Sequence, residues 1–315
     1  MRILFVKTSS LGDVVHNCPA VSDVARRMAG AEIDWVVEEA FAGIAALHVG
    51  VRRVIPVALR RWRSALLSRA VWSEIGAFRR ALGAGRYDAV IDTQGLVKSA
   101  LVCALAPGEK HGMDAASLRE PLAARFYDVR HAVARGRHAV ERNRALAAAA
   151  LGYADAGPCD YGLRAEGAAP VEARTPYAVF FTMTSRTDKL WPEERWLELG
   201  SGLAASGVQP VLPWGSGPER ERCERLARGL PGALVPRRMS LEEIARLARG
   251  ARCVAGVDTG LTHLAAALAV PVVGIYCASD PALTGLYGSP RARNLGAAGE
   301  PPAAARVLAA LEELT

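Results

Sequence analysis

The feature that most restricts this chain is an alternation of short apolar runs with helix-length stretches, played through once, interrupted, and then played through again. Short Val-, Ile- and Leu-rich runs bounded by turn residues read as strands buried on both faces, and strands separated by helical patterns pair in parallel. In the first half, strands are expected at Arg2–Lys7, Ile33–Val37, Arg53–Val57 and Ala89–Asp92, with a weaker one near Lys110. Helices fall between them at Asp13–Met28, Phe41–Leu47, Ser73–Leu82, Leu96–Leu105 and Arg137–Leu151. The stretch Gly152–Thr175, rich in Gly, Ala and Pro, holds no period and reads as a linker. The pattern then restarts, with strands at Tyr177–Phe181, Pro210–Leu212, Ala233–Val235, Cys253–Val257 and Val272–Tyr276. Helices fit Glu193–Ala205, Pro218–Arg228, Ser240–Arg249, Leu261–Leu268 and Ala303–Leu314, and Ser240 to Glu243 forms a capping box. The expected class is α/β, with two doubly wound parallel domains over residues 1–160 and 161–315 and a ligand cleft outside the carboxyl ends of their strands.

Composition removes other classes. At 315 residues and 51% hydrophobic, the chain fills two separate cores, which excludes disorder. The six Cys include no C-x-x-C pair, so zinc knuckles and thioredoxin-type motifs are excluded and reduced core thiols are expected. No apolar run approaches the ~20 residues of a membrane span, and Lys7 cuts the first one short, so a soluble, cytoplasmic chain is expected. Phosphate-loop, dinucleotide and nucleophile-elbow fingerprints are all missing. Charge is unevenly placed: residues 1–150 hold 22 Lys+Arg against 14 Asp+Glu, and residues 151–315 hold 17 against 18. An excess confined to the first half suits an anionic acceptor or a phospholipid surface; with no nucleic-acid module present, nucleic acid is not expected as a partner.

Three loops at strand ends carry residues suited to chemistry. Lys7 to Val14 follows the first strand and sets Asp13 at a helix start, where a carboxylate can cap the helix or act as a general base. Cys253 to His263 runs from a strand through Asp258, Thr259 and Gly260 into a helix, whose free N–H groups suit a diphosphate; His263 falls on its first turn, as ligand contact or packed side chain alike. Thr182 to Glu194 occupies the corresponding place in the second half and holds Thr184, Ser185 and Lys189, the only lysine there. Two arginine-rich sets complete the inventory, one from Arg52 to Arg69 interleaved with Trp62 and Leu66, the other from Arg119 to Arg144.

Several segments, in order along nearly the whole chain, resemble the lipopolysaccharide heptosyltransferases of glycosyltransferase family 9. They are Lys7–His16, Asp34–Glu39, Arg60–Arg63, Asp92–Ser99, Lys110–Asp114, Asp188–Glu194 and Val257–His263. The resemblance implies a GT-B fold of two Rossmann-like domains, the first for acceptor and the second for donor, with helix 303–314 crossing back to the first. It implies an inverting enzyme that moves L-glycero-D-manno-heptose from ADP-heptose to the inner Kdo of Kdo2-lipid A, peripherally on the cytoplasmic face of the bacterial inner membrane. A sister enzyme acting on heptosyl-Kdo2-lipid A, and a sugar-nucleotide epimerase of similar architecture, are the alternatives. Carried over by position, Asp13 is the catalytic base. Thr184, Ser185, Lys189, Glu219, Met239, Asp258, Thr259, Gly260 and His263 form the donor set, and Arg60, Arg61 and Arg119 meet the acceptor. No metal or other cofactor is expected, Lys189 and helix amides taking that role. Ser64 and Thr182 stand where relatives carry Lys and His, so neither receives a role.

Overall fold

The computed structural model describes residues 1–65, 67–154, 157–173 and 176–315. Leu66 of the first arginine-rich set and positions 155, 156, 174 and 175 of the expected linker lie outside the described residues. The chain divides into two units, Met1–Leu163 and Arg164–Thr315.

In the first unit, β1 (Arg2–Val6), β2 (Glu32–Glu38), β3 (Arg53–Val57), β4 (Ala89–Asp92), β5 (Glu109–Met113) and β6 (Val129–His131) form one parallel sheet in the order β3-β2-β1-β4-β5-β6. Ile3 to Val6 are fully buried, as a central strand covered on both faces requires. The helices are α1 (Leu11–Arg27), α2 (Ala42–Ala46), α3 (Leu59–Ser64), α4 (Arg69–Gly83), α5 (Val97–Ala104) and α6 (Ala139–Leu151). A buried fork joins α6 to α1, Arg144 Nε to Asp23 Oδ2 at 2.7 Å and its second nitrogen to Oδ1 at 3.2 Å. This strand order reverses direction between β1 and β4, and sheets of this kind bind ligands beyond the strand ends at that reversal.

The second unit holds β7 (Tyr177–Phe181), β8 (Gln209–Val211), β9 (Cys253–Val257), β10 (Val272–Ile275) and β11 (Ala292–Leu295), in the order β11-β10-β9-β7-β8. Its helices are α7 (Glu193–Ala205), α8 (Gly217–Arg228), α9 (Leu241–Gly250), α10 (Gly260–Ala267), α11 (Pro281–Thr284) and α12 (Ala304–Leu314). The strand expected at Ala233–Val235 shrinks to one parallel bridge, Leu234 with Val211. Gly232, at φ +67°, turns the chain just before it, and Pro236 just after it has no N–H to extend the ladder. With that bridge counted, the second sheet repeats the order of the first, and its reversal lies between β7 and β9.

Alternation along β7 shows two-sided burial directly. Ala178 and Phe180 join the cluster around Trp191 and Trp196, whereas Tyr177, Val179 and Phe181 join Ile244 and Leu247 on the opposite face. Helix α12, expected to reach the first half, is seated on α7 and β10 of its own unit, with Val307 and Leu311 in the Trp196 cluster.

Candidate active site

Because all strands of a sheet run parallel, the loops following them emerge on one edge, and the reversal leaves the loops after β1 and β4 as neighbours. In the first unit, Gln94 Oε1 accepts the N–H groups of Thr8 at 3.1 Å and Ser9 at 3.0 Å. Lys7 Nζ donates to the Thr93 carbonyl at 2.9 Å, and Lys98 Nζ to Ser9 Oγ at 2.8 Å. Beneath them Asp92, fully buried, accepts from the amides of Gln94 and Gly95 and, at 2.8 Å each, from the hydroxyls of Ser99 and Tyr127. Burial still lifts the Asp92 carboxyl above its ordinary pKa, and burial lowers the Lys7 ammonium against the pull of Asp13 and Asp92.

Asp13 is the third residue of α1, a helix that begins two positions earlier than the sequence pattern gives. Its Oδ2 accepts from the Ser10 amide at 2.7 Å and the Ser10 hydroxyl at 3.1 Å. The capping reading and the base reading are therefore compatible: the hydrogen bonds to this half-exposed carboxylate all reach one oxygen.

The arginines divide by role. Arg52 and Arg53 both bond Asp34, Arg130 bonds the Ala124 carbonyl, Arg135 that of Leu118, and Arg142 that of Ser117. Together with Arg144 these are structural, so only part of the arginine in the first half is left to face an anion. The Arg61 guanidinium bonds Glu39 twice and Glu74 once at an exposed site; its bonds hold the Glu39 carboxyl below the usual range, and the Trp62 indole N–H, then Arg61, do so for Glu74. Arg60 is exposed, its guanidinium carbon 5.9 Å from the Phe41 ring centre. Arg119 is exposed in the loop after β5; its neighbour Glu120 accepts the Val97 amide at the start of α5.

In the second unit the loops after β7 and β9 meet as the loops after β1 and β4 do. Thr184 Oγ1 donates to the Asp258 carbonyl at 2.9 Å, and Lys189 Nζ to Asp258 Oδ2 at 2.6 Å. Lys189 is set by a 3-10 turn, Thr187–Lys189, and by Trp191, fully buried two residues on, whose Nε1 donates to the Pro302 carbonyl. Ser279, after β10, adds a second 2.6 Å bond to Asp258 Oδ2. His263 Nε2 stands 3.7 Å from Oδ1, an electrostatic contact beyond hydrogen-bond length. Burial alone would raise the Asp258 carboxyl; His263, Lys189 and Ser279 overcome it and hold the group well below the usual carboxylate range, the two 2.6 Å donors being the geometric basis.

Helix α10 starts at Gly260 with Thr259 as its cap residue, and Thr259 makes no side-chain cap bond, so the first amides of the helix are not closed by their own cap. The helix packs tightly on β9: a Cβ at Gly256 would lie 2.1 Å from Thr262 Oγ1, which itself donates to the Val257 carbonyl. Thr184, Lys189, Asp258, Thr259, Gly260 and His263 are thus gathered at one strand edge. Glu219 lies on the first turn of α8, after β8, where Oε2 accepts the Gly215 amide at 2.7 Å. Met239 is buried in the cluster with Ile244 and Leu247, and Ser185 is exposed. Arg186 and Asp188 of the same loop pair with each other in solvent. Among the described residues, no group of three or more His, Cys, Asp or Glu side chains is arranged to hold a metal ion.

Sequence reasoning assigned no role to Gln94, Lys98 or Ser279. Gln94 had a signal, being a polar residue just past β4, which flanks the reversal; Lys98 lies on the first turn of α5 and Ser279 follows β10, so neither carries that signal.

Residues 75–311 match the model of glycosyltransferase family 9 (heptosyltransferase). The chain is 52% identical over 292 residues, 91% of each chain, to lipopolysaccharide heptosyltransferase 1 of Escherichia coli (strain K12). It is 48% identical to E. coli heptosyltransferase WaaC solved with ADP, at a TM-score of 0.92 and with both chains fully covered. Against WaaC with ADP-2-deoxy-2-fluoro heptose the identity is 47% and the TM-score 0.89, again with full coverage.

Proposed function

The chain belongs to glycosyltransferase family 9, the heptosyltransferases, and from that premise we propose that it transfers L-glycero-D-manno-heptose from ADP-heptose to the inner Kdo of Kdo2-lipid A in lipopolysaccharide core synthesis. The second unit holds the donor. The observation that carries this reading is the uncapped start of α10 beside the Lys189–Asp258 pair, an ammonium and free amides at one strand edge where a diphosphate is stabilised. Relatives bound to ADP and to a fluorinated ADP-heptose support the same choice of ligand. Thr184, Ser185 and His263 line that edge, Glu219 has the carboxylate to bond ribose hydroxyls, and Met239 packs beside the nucleotide.

Asp13 acts as the base. It takes the proton of the acceptor hydroxyl as that oxygen attacks the anomeric carbon; the bond to the ADP oxygen breaks on the opposite side, and the configuration inverts. Charge appearing on the leaving diphosphate is met by Lys189 and the α10 amides, so the reaction runs without a metal ion. Arg60, Arg61 and Arg119 meet the carboxylates and phosphates of the acceptor; Arg61 exchanges an exposed, weakly stabilising ion pair for that contact. No helix among the described residues is long and apolar enough to cross a membrane. Leu67, Trp72, Leu101 and Leu105 are exposed near the arginines of α3, which supports peripheral attachment to the anionic cytoplasmic face of the inner membrane.

Mass-resolved product analysis with ADP-heptose tests the assignment. Kdo2-lipid A should gain one heptose with release of ADP, in EDTA as well as without it. Exclusive use of heptosyl-Kdo2-lipid A would overturn the acceptor, and loss of turnover in EDTA would overturn the metal-free step.

A further inference from the structure

The loop that presents Asp13 is gripped from the neighbouring loop by a side chain to which the mechanism gives no task. Gln94 follows β4, and its Oε1 accepts two consecutive amides, those of Thr8 at 3.1 Å and Ser9 at 3.0 Å. Only an acceptor satisfies two N–H groups, so the carboxamide has one orientation, its oxygen toward the Asp13 loop. Thr8 is fully buried and Ser9 nearly so, which keeps water from replacing that oxygen unless the chain moves.

Gln94 is itself held fast. Asp92 Oδ1 accepts its amide at 2.9 Å and the Gly95 amide at 3.1 Å, closing a turn at the strand end. Gly95 sits at φ +68°, and a Cβ there would lie 2.5 Å from Leu118 Cδ2, so the turn accepts no other residue without displacement. One position before Gln94, the Thr93 amide bonds the Val6 carbonyl, and Lys7 Nζ bonds the Thr93 carbonyl. The root of the Gln94 side chain is thereby fixed against β1, while its far end holds the loop into which β1 leads.

One residue separates that grip from the carboxylate. Ser10 follows Ser9, and its amide and hydroxyl both donate to Asp13 Oδ2, so Oδ1 is the oxygen left for a substrate proton. A shift of Ser9 moves Ser10, and with it the direction in which the Asp13 carboxylate faces. Misplacement by about 1 Å can cost roughly 10²-fold in rate.

We propose that Gln94 is a positioning residue for the transfer step: its carboxamide oxygen, anchored through the Asp92 turn, fixes the Thr8–Ser9 backbone and so aims the Asp13 carboxylate at the acceptor hydroxyl. This role rests on the reading of Asp13 as the base. It belongs to the acceptor half of the carboxamide, whereas a direct contact with substrate would fall to the NH2 half.

Two substitutions separate the halves. Gln94→Met keeps the length of the side chain and loses both halves. Gln94→Glu keeps an oxygen for the two amides and loses the NH2, its charge offset by Lys7 and by Lys98, which bonds Ser9 Oγ. With ADP-heptose and Kdo2-lipid A saturating, kcat of the Met variant should fall at least tenfold, while its KM for ADP-heptose and calorimetric Kd for ADP stay within twofold of wild type. The Glu variant should keep kcat within threefold of wild type. No loss in the Met variant, or an equal loss in both, overturns the role. In a double-mutant cycle, Gln94→Met should lower the kcat of Asp13→Asn less than threefold, because a side chain that acts through the base has nothing left to aim; multiplicative losses overturn the role. A readout independent of turnover is hydrogen exchange at the Thr8 and Ser9 amides. Exchange faster than wild type in the Met variant and restored in the Glu variant is expected; exchange unchanged in the Met variant overturns the grip. Should the Met variant not fold, Gln94→Asn, which withdraws the carboxamide by one methylene, takes its place with the same expected and overturning results. Should Asp13→Asn keep kcat within tenfold of wild type, the base reading falls by itself, and the exchange result still decides whether Gln94 holds the loop.

Discussion

The two units share a strand order and put their loops at the same topological place, yet they use the helix that starts there in opposite ways. In the first, the start of α1 is closed by Asp13, whose carboxylate accepts the Ser10 amide and hydroxyl, and the loop behind is locked by Gln94, Lys7 and the buried Asp92. In the second, the start of α10 makes no cap bond, and the carboxylate nearby, Asp258, is occupied by Lys189 and Ser279. A closed helix start offers a fixed carboxylate and little room for an anion; an open one offers amides and a cation. One architecture thus yields a site for a base and a site for a diphosphate, and the difference lies in whether a residue three positions into the helix is acidic.

The contrast breaks most visibly at Asp13. Asp13→Asn keeps a side-chain oxygen for the Ser10 amide but abolishes proton acceptance, so kcat should fall about 10³-fold, within the range for a lost general base. ADP affinity by calorimetry should remain that of the wild type, since the donor residues all belong to the other unit. A kcat within tenfold of wild type would erase the chemical distinction between the two loops.

Asp92→Asn comes next. An amide at that position keeps an oxygen for the Gln94 and Gly95 amides but turns N–H toward the Ser99 and Tyr127 hydroxyls, both of which donate there in the wild type and must turn round to accept. Unfolding free energy should drop by about 3 kcal/mol in urea titration, the scale for stranding buried polar groups. Unchanged stability would mean that the closed loop is not held from beneath. For the open helix, Lys189→Ala should weaken ADP binding about tenfold, ~1.4 kcal/mol, because it removes a cation and leaves Asp258 unpaired beside an anion. Adding Asp258→Asn should recover part of that loss; strictly additive losses would show that the pair is not coupled.

How much of this was legible beforehand depends on how local each signal is. Central strands announced themselves because both faces are buried: β1, β4, β7 and β9 lie where the Val- and Ile-rich runs place them. Edge elements did not. In β11, Ala-Arg-Asn-Leu, no residue is fully buried, and β6 is three residues long, so neither carries a hydrophobic pattern. Helix α3 was hidden because Leu-Arg-Arg-Trp-Arg-Ser reads as a cluster of charge. At the site, Asp13, Lys189 and Asp258 were visible as polar residues at strand ends. The division of arginines was not, because Arg144 finds Asp23 across 121 positions, and nothing within α6 marks that arginine as buried. Gln94 and Ser279 likewise act across loops, so their roles required knowledge of which strands adjoin.

The smallest expected effect concerns Ser279, and it separates the open helix start from the ion pair beside it. Its hydroxyl donates to the same Asp258 oxygen as Lys189, favouring the ionised carboxyl. Asp258 titrates below its unfolded value of 3.8, so its contribution to stability is present above that value and disappears as pH falls through the lower folded value. Ser279→Ala removes one donor and moves the folded value upward, which shrinks the contribution at neutral pH and completes its acid-side loss at higher pH, while the onset, set by the unfolded value, is unchanged. A neutral-pH change of about 1 kcal/mol, roughly 3 °C in Tm, is expected from one hydrogen bond to a charged group. Calorimetric Tm should therefore lie below that of the wild type at neutral pH, begin its decline at the same pH, and converge on the wild-type curve in more acid solution. ADP affinity should fall only a few-fold, since Lys189 and the α10 amides remain in place. A variant whose Tm tracks the wild type throughout, with ADP affinity reduced as far as in Lys189→Ala, would make Ser279 a direct diphosphate contact and move the boundary of the open site from α10 to the loop after β10.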